Sequence, residues 1–257
     1  METIARTNTN TNTLPNTETG FQFRKYPCPQ KPIHSRSVPN NFTDTLNPAL
    51  SRLHDLYSRL DIAPGGLKPD QVDTFLELRH QALQLNQQVD HLVELINLRS
   101  QFQDKKEREH LRKMICRNPD DILYEEALHH AQGEHRISDI SIHVHSAKVK
   151  INSDHLRIVM SELIQNAYQY SDRGSEVEVV STLTENSLKI EIKDKGYGMS
   201  ERKSEKLNTI ASSDSDSLGL QIVHEVLTFF NGTFSLFSIP GNGTTVTFSI
   251  PLAEEVK

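Results

Sequence analysis

Three short motifs in a fixed order constrain this chain more than its composition does: Ser161-Glu-Leu-Ile-Gln-Asn-Ala-Tyr-Gln-Tyr170, Asp194-Lys-Gly-Tyr-Gly198 and Ser217-Leu-Gly-Leu220. The first reads as a helix. Glu162 and Asn166 stand four apart and project from one face, a turn from each other. Beside them runs an apolar stripe of Leu156, Val159, Leu163, Ala167 and Tyr170. Asp194 closes the run from Leu188 to Ile192, whose alternation predicts a strand with one buried face. Gly196 and Gly198 lack Cβ, so the backbone can turn there and be approached closely. Gly219 sits before a second amphipathic helix, Leu220 to Phe230, with free N–H groups at its start.

These residue types suit a purine nucleotide and its metal. The amide oxygen of Asn166 matches a hard cation such as Mg2+, which prefers oxygen ligands and keeps waters while bridging phosphates. Glu162 can orient or deprotonate an attacking group, the Asp194 carboxylate can accept the exocyclic amine of adenine, and the helix start after Gly219 can receive phosphate oxygens. Asp-x-Gly-x-Gly alone is most often a turn between strands. The joint order, closed by Gly241-Asn-Gly-Thr-Thr245, reverses that weighting. It resembles the Bergerat-type ATPase domain shared by sensor histidine kinases, DNA gyrase, the heat-shock chaperone of that superfamily and MutL, over roughly Lys148 to Leu252. The ending from Asn231 to Leu252 is similar to the last two strands of the histidine-kinase catalytic domain in particular. The resemblance implies ATP and Mg2+ as cofactors. It also implies Asn166 at the metal, Asp194, Gly196, Gly198, Gly219 and Thr244 around the nucleotide, and Glu162 as catalytic base of an ATP-dependent protein histidine kinase.

The rest of the chain falls into an order that fits. Residues 1–40 are rich in Thr, Asn, Pro and Ser and poor in apolar positions, which predicts a disordered arm. Leu46, Leu50, Leu53, Tyr57 and Leu60 then form a heptad seam. Ala63-Pro-Gly-Gly66 breaks it, and a second helix opens at Pro69. Along that helix Phe75, Leu78, Ala82, Leu85, Val89, Leu92 and Ile96 repeat the seam, thickened by Leu76, Leu83 and Val93. The expected class is α+β: an antiparallel helical hairpin over 41–117, then an α/β sandwich ATPase domain over 118–257. So broad an apolar face needs a second hairpin, giving a four-helix bundle in a homodimer, and the hairpin resembles the dimerisation and phosphotransfer element of histidine kinases. Gln101 to Arg117 reads as a solvated connector. Asp120 to Gln132 reads as a helix, Ile140 to His145 as a strand, and Asn152 as the cap of the helix bearing Glu162 and Asn166. Strands Val177–Leu183, Leu188–Asp194, Thr233–Ile239 and Thr244–Ile250 complete a mixed sheet with helices on one face.

Two places depart from the histidine-kinase pattern. The acceptor motif is absent from the first hairpin helix, where Phe42 to Leu50 has Thr43 or Asp44 at the histidine position. His54-Asp-Leu-Tyr-Ser-Arg-Leu60 matches it at His, acid, Leu and final Leu but has Arg59 in place of proline, which leaves His54 as the candidate phosphoacceptor, with His80 and His91 behind it. The lid between Met199 and Leu218 is short and rich in Ser and Asp, with Asp214 and Asp216 adding negative charge that Arg202, Lys203 and Lys206 partly offset. The alternative to a kinase is therefore a pseudokinase scaffold that docks a response-regulator-like protein or a sensor kinase. His143-Val-His145 offers two ligands and no third. A net charge of −6 gives no pull toward nucleic acid or anionic membranes. Two dissimilar cysteines make no disulfide framework, and no apolar run approaches the ~20 residues of a membrane span. A cytoplasmic protein without membrane insertion is expected.

Overall fold

The computed structural model describes residues 69–208 and 218–253, with side chains from Phe75 onward. The arm of residues 1–40, the first hairpin helix with His54, and Asp214 and Asp216 lie outside these residues.

The second hairpin helix, α1 (Pro69–Gln103), divides its apolar residues between two faces. Leu78, Leu85 and Leu92 of the predicted seam are exposed, as are Leu76 and Leu83. Leu95, Leu98 and Phe102 form a different stripe with spacings of three and four. Leu95 and Leu98 are buried in the main core, and Phe102 stacks on Phe229 of α6 (Leu218–Phe229) with ring centroids 3.9 Å apart. An ion pair of 2.7 Å between Arg99 and Glu225 flanks this contact. Gln101 to Arg117 is thus more than a solvated connector. It contains α2 (Lys105–Leu111), capped by Asp104 and burying Leu111, and the backbones of Cys116 and Val149 exchange two hydrogen bonds of 3.0 Å. Its apolar residues are too widely spaced to form a periodic pattern, yet Phe102, Leu111 and Cys116 pack in the core while Ile115 stays exposed.

After α2 come α3 (Pro119–Gly133), a 3-10 turn at Ile137–Asp139, β1 (Ile140–His143) and α4 (Ser153–Gln169). Then follow β2 (Val177–Leu183), β3 (Ser187–Asp194), α5 (Glu201–Asn208), α6, β4 (Thr233–Ile239) and β5 (Gly243–Pro251). The strands form one sheet in the order β1-β2-β3-β5-β4. β1 and β2 run parallel, and the other neighbours are antiparallel. Alternation puts Val177, Val179, Leu188, Ile190, Ile192, Phe248 and Ile250 on the buried face, with Ile190 opposite Phe248 and Leu188 opposite Ile250. The other face carries charge: Lys193 pairs with Glu178 at 3.1 Å and Lys189 with Glu191 at 2.7 Å.

The apolar sides of α4 and α6 close the core. Leu156, Val159, Leu163 and Ala167 are buried as their spacing predicts, and Asn152 accepts the Asp154 N–H at 2.6 Å as the N-cap. Tyr170, placed in that stripe by its spacing, is instead exposed, because α4 ends at Gln169 and Tyr170 leaves the helical conformation as its cap. The turn beyond is gathered around Arg136, whose side chain is buried. Its guanidinium donates to the carbonyls of Tyr168, Ser171, Asp172 and Ser175, pairs with Asp139 at 2.8 Å and lies over the Tyr168 ring. Every face of the buried cation is therefore satisfied, the condition under which such burial is tolerated. Among the described residues no helix is long and apolar enough to cross a membrane.

His155 of α4 sits between Phe102 and Phe230, ring centroids 5.5 and 5.3 Å away, and neither ring nitrogen has a hydrogen-bond partner. Burial pushes its pKa down to about 4, against a small opposing effect of Asp154. The unfolded chain binds this proton near pH 6.5. Stability from the neutral ring is therefore present above that pH and is lost as pH falls toward 4, by at most about 3 kcal/mol. His155→Phe should remove this part of the acid sensitivity, read as a smaller fall in urea midpoint between pH 7 and pH 4.5; an unchanged fall would refute the assignment.

Candidate functional site

The site is built where the end of β3 meets the end of α4. Asp194, the last residue of β3, turns its carboxylate back along the chain: Oδ1 accepts the Gly196 N–H at 2.9 Å and the Thr244 N–H at 3.2 Å. Burial pushes the Asp194 carboxyl above the usual carboxylate range, and the two N–H donors pull it back only in part. One oxygen is thus fixed by backbone while the other stays available to a donor, which is the arrangement an exocyclic amine requires.

The glycines of the turn are demanded by the protein's own backbone. A Cβ at Gly196 would run into the Tyr170 carbonyl, and one at Gly198, where φ is +61°, into the Ile239 carbonyl. The crowding follows from hydrogen bonds that clasp the turn from both sides: Tyr197 N–H donates to the Tyr170 carbonyl at 3.0 Å, and Gly241 N–H to the Tyr197 carbonyl at 2.7 Å. Met199 N–H donates to Ser238 Oγ at 2.9 Å, and that hydroxyl also lies 3.0 Å from Thr244 Oγ1. Because Tyr170 N–H in turn donates to the Asn166 carbonyl, the last turn of α4 and the Asp194 turn are locked together. Asn166 and Asp194 thereby belong to one rigid junction of helix and strand.

The other end of the site lies one turn back along α4. A Cβ on Gly219, in the first turn of α6, would strike the Glu162 carboxylate, so the glycine is what lets helix and acid approach. Glu162 Oε2 is also 3.1 Å from His91 Nε2, which brings α1 into the site. Burial alone would lower the His91 imidazole, but the hydrogen bond and charge of Glu162, with Asp90 and Glu94 adding, carry its pKa above the ordinary value. Burial and the nearby Glu162 charge also raise the Glu94 carboxyl. The structure therefore gathers Asp194, Gly196, Gly198 and Thr244 at one end and Glu162, Gly219 and His91 at the other, with Asn166 between them on α4.

The contact of His91 with Glu162 had a signal in the sequence. His91 stands four before Leu95, seven before Leu98 and eleven before Phe102, so it continues the stripe that docks α1 on the domain. His143 and His145, read as a possible ligand pair, bond elsewhere: His143 to Ser141 Oγ at 3.2 Å and His145 Nδ1 to the Ser181 carbonyl at 2.6 Å. Among the described residues no group of three His, Cys, Asp or Glu side chains could hold a metal. A cation here would rely on Asn166 and on oxygens of the nucleotide. The predicted lid segment contains α5, which the sequence reading did not anticipate. It is fastened by Asn208, which bonds both N–H and carbonyl of Leu236, and by the Leu207 carbonyl, 3.0 Å from His224 Nε2.

Residues 151–254 match the family described as Histidine kinase-, DNA gyrase B-, and HSP90-like ATPase. The sensor histidine kinase WalK of Bacillus subtilis is 31% identical over 118 residues, 42% of this chain and 19% of that protein. The sensor-like histidine kinase SenX3 of Mycobacterium bovis is 26% identical over 181 residues, 66% of this chain and 43% of that protein. The chain thus spans less than half the length of these relatives. Among solved structures the histidine kinase AdeS of Acinetobacter baumannii aligns with a TM-score of 0.52 at 19% identity, covering 82% of this chain and 98% of that one. Full-length ShkA in complex with AMPPNP aligns with the same score at 16% identity, covering 80% and 46%. At such identities these two structures establish the fold.

The two ends of the site should respond differently to an added methyl group. Gly243→Ala places a Cβ against the Asp194 backbone at a φ of +95° and should cost about 2 kcal/mol or more. Gly219→Ala meets only the tip of a flexible carboxylate and gains helix propensity, so it should stay within about 1 kcal/mol of wild type. Urea unfolding of both variants measures the difference, and the reverse order would contradict the contacts described.

Proposed function

We infer that this chain, whose residues 151–254 match the Histidine kinase-, DNA gyrase B-, and HSP90-like ATPase family and which is similar to sensor histidine kinases, is a two-component signalling protein that binds Mg·ATP and transfers its γ-phosphoryl group to histidine. The observation that carries the reading is the Asp194 carboxylate, held by the N–H groups of Gly196 and Thr244 at the strand end where the adenine amine would bond. Gly219 opens the start of α6 to phosphate oxygens. Asn166, half-buried on the same face of α4 as Glu162, supplies a hard oxygen donor of the kind Mg2+ takes. Asn166 would hold the ion, which supplies charge neutralisation between the phosphates. Phosphoryl transfer asks little covalent chemistry of the protein and depends on placing donor and acceptor in line, with Glu162 oriented to receive the acceptor's proton.

The division into an arm of residues 1–40, a hairpin over 41–117 and an ATPase domain over 118–257 is part of the same reading. The exposed Leu78, Leu85 and Leu92 support a hairpin whose seam is completed by the first helix and by a second copy, in a cytoplasmic homodimer. A response-regulator-like protein is the expected partner.

Millimolar Mg·ATP should raise the apparent Tm by about 5 °C, since a ligand that binds only the native state stabilises it by about 2.7 kcal/mol at a hundred times its Kd. Asp194→Ala should abolish the shift, and chelation of Mg2+ should reduce it. A folded wild-type protein whose Tm does not move with nucleotide would refute the reading.

A further inference from the structure

We propose that His91 is a phosphoacceptor, taking the γ-phosphoryl group from nucleotide bound between Asp194 and Gly219; the inference rests on the nucleotide-binding reading above. Its geometry is distinctive among the described histidines. His155 is walled in by Phe102 and Phe230. His130 is committed to Ser161, His145 to Ser181 and His224 to the Leu207 carbonyl. His91 alone among them pairs with the Glu162 carboxylate, at 3.1 Å, and its side chain keeps 18% exposure, so it is reachable from outside. Its Cε1 lies 3.6 Å from the point a Cβ on Gly219 would occupy, so the ring edge borders the first turn of the helix that would receive the phosphates.

The chemistry follows from which nitrogen faces the acid. With the Nε2 proton directed at Glu162, the neutral ring carries its lone pair on Nδ1. That pair forms the N–P bond to the γ-phosphorus, while the bond from the γ-phosphorus to the bridging oxygen breaks and its electrons leave with ADP. The Nε2 proton passes to Glu162, which leaves a neutral phosphorylated imidazole. Nothing is oxidised or reduced, and ATP is the only co-reactant. Glu162 thus acts on the nitrogen opposite the one that attacks, and the stripe of Leu95, Leu98 and Phe102 docks the helix that carries the ring.

Incubation with Mg2+ and γ-labelled ATP should give acid-labile, alkali-stable label on the wild-type protein. Fragmentation of the tryptic peptide spanning residues 80–99 should place the phosphate on His91 rather than His80. His91→Gln, whose amide can still bond Glu162, should lose the label to background while a Tm shift with Mg·ATP persists. Label on the peptide spanning residues 53–59, label that survives His91→Gln, or no label despite a normal nucleotide shift would each overturn the proposal. Absence of any nucleotide shift would instead fell the nucleotide reading and this inference with it. The peptide mapping is done on the wild-type chain, so the proposal stays decidable even if the variant misfolds.

Discussion

The insertion of Leu95, Leu98 and Phe102 into the surface of α6 governs what the rest of the molecule can do. Fully burying side chains of this size is worth roughly 1.5–3 kcal/mol each, whereas the half-exposed Arg99–Glu225 pair contributes at most about 1 kcal/mol. Apolar packing therefore sets the register of the long helix, and the ion pair trims it. Once Phe102 is stacked on Phe229, the position of every residue upstream is fixed by helical geometry. Eleven residues earlier, about 16 Å along the axis, the same stripe delivers His91 to Glu162. A helix that also exposes Leu78, Leu85 and Leu92 on a different face is thus committed at one end and unsatisfied at the other.

At the opposite end of the site, backbone does most of the positioning. Asp194 is aimed by two N–H groups, and its turn is held between the Tyr170 carbonyl and the β4–β5 hairpin, with glycine wherever a carbonyl comes too close for a methyl group. Glu162 shows the complementary strategy, a side chain given room by a glycine on a neighbouring helix. The Asp194 end is consequently stiff, because moving it breaks main-chain hydrogen bonds. The Glu162 end is adjustable, since a carboxylate and an imidazole can change rotamer at little cost.

Much of this was legible from residue order. The cap at Asn152, the stripe of α4, the alternation of β2 through β5 and the Asp194 turn are local signals, and local signals coincide with the structure here because each element buries the face its own period defines. What escaped notice is what depends on partners distant in sequence. Phe102, Leu111 and Cys116 look isolated in a charged stretch until α6 and Val149 are seen beside them. Arg136 reads as a surface charge because its acceptors are carbonyls some 32 to 39 residues away. Tyr170 fits the helical period and still faces solvent, because a period cannot reveal where a helix stops. α5 carries seven charged or polar residues among eight and is anchored by the side chain of Asn208, which no amphipathic pattern announces. His91 was hidden differently, as one of twelve histidines on a helix whose more obvious stripe points elsewhere.

The Arg136 clasp has a consequence for how the fold can vary. Four carbonyls between Tyr168 and Ser175 converge on one guanidinium, so the segment leading from α4 into β2 keeps its shape from within and has no slack to absorb an inserted or deleted residue. Lysine, with one terminal nitrogen, cannot span acceptors arranged as a fan. Length changes along a lineage would therefore collect in other connections, and this corner would persist as a ruler that keeps the helix end and the sheet at a constant separation.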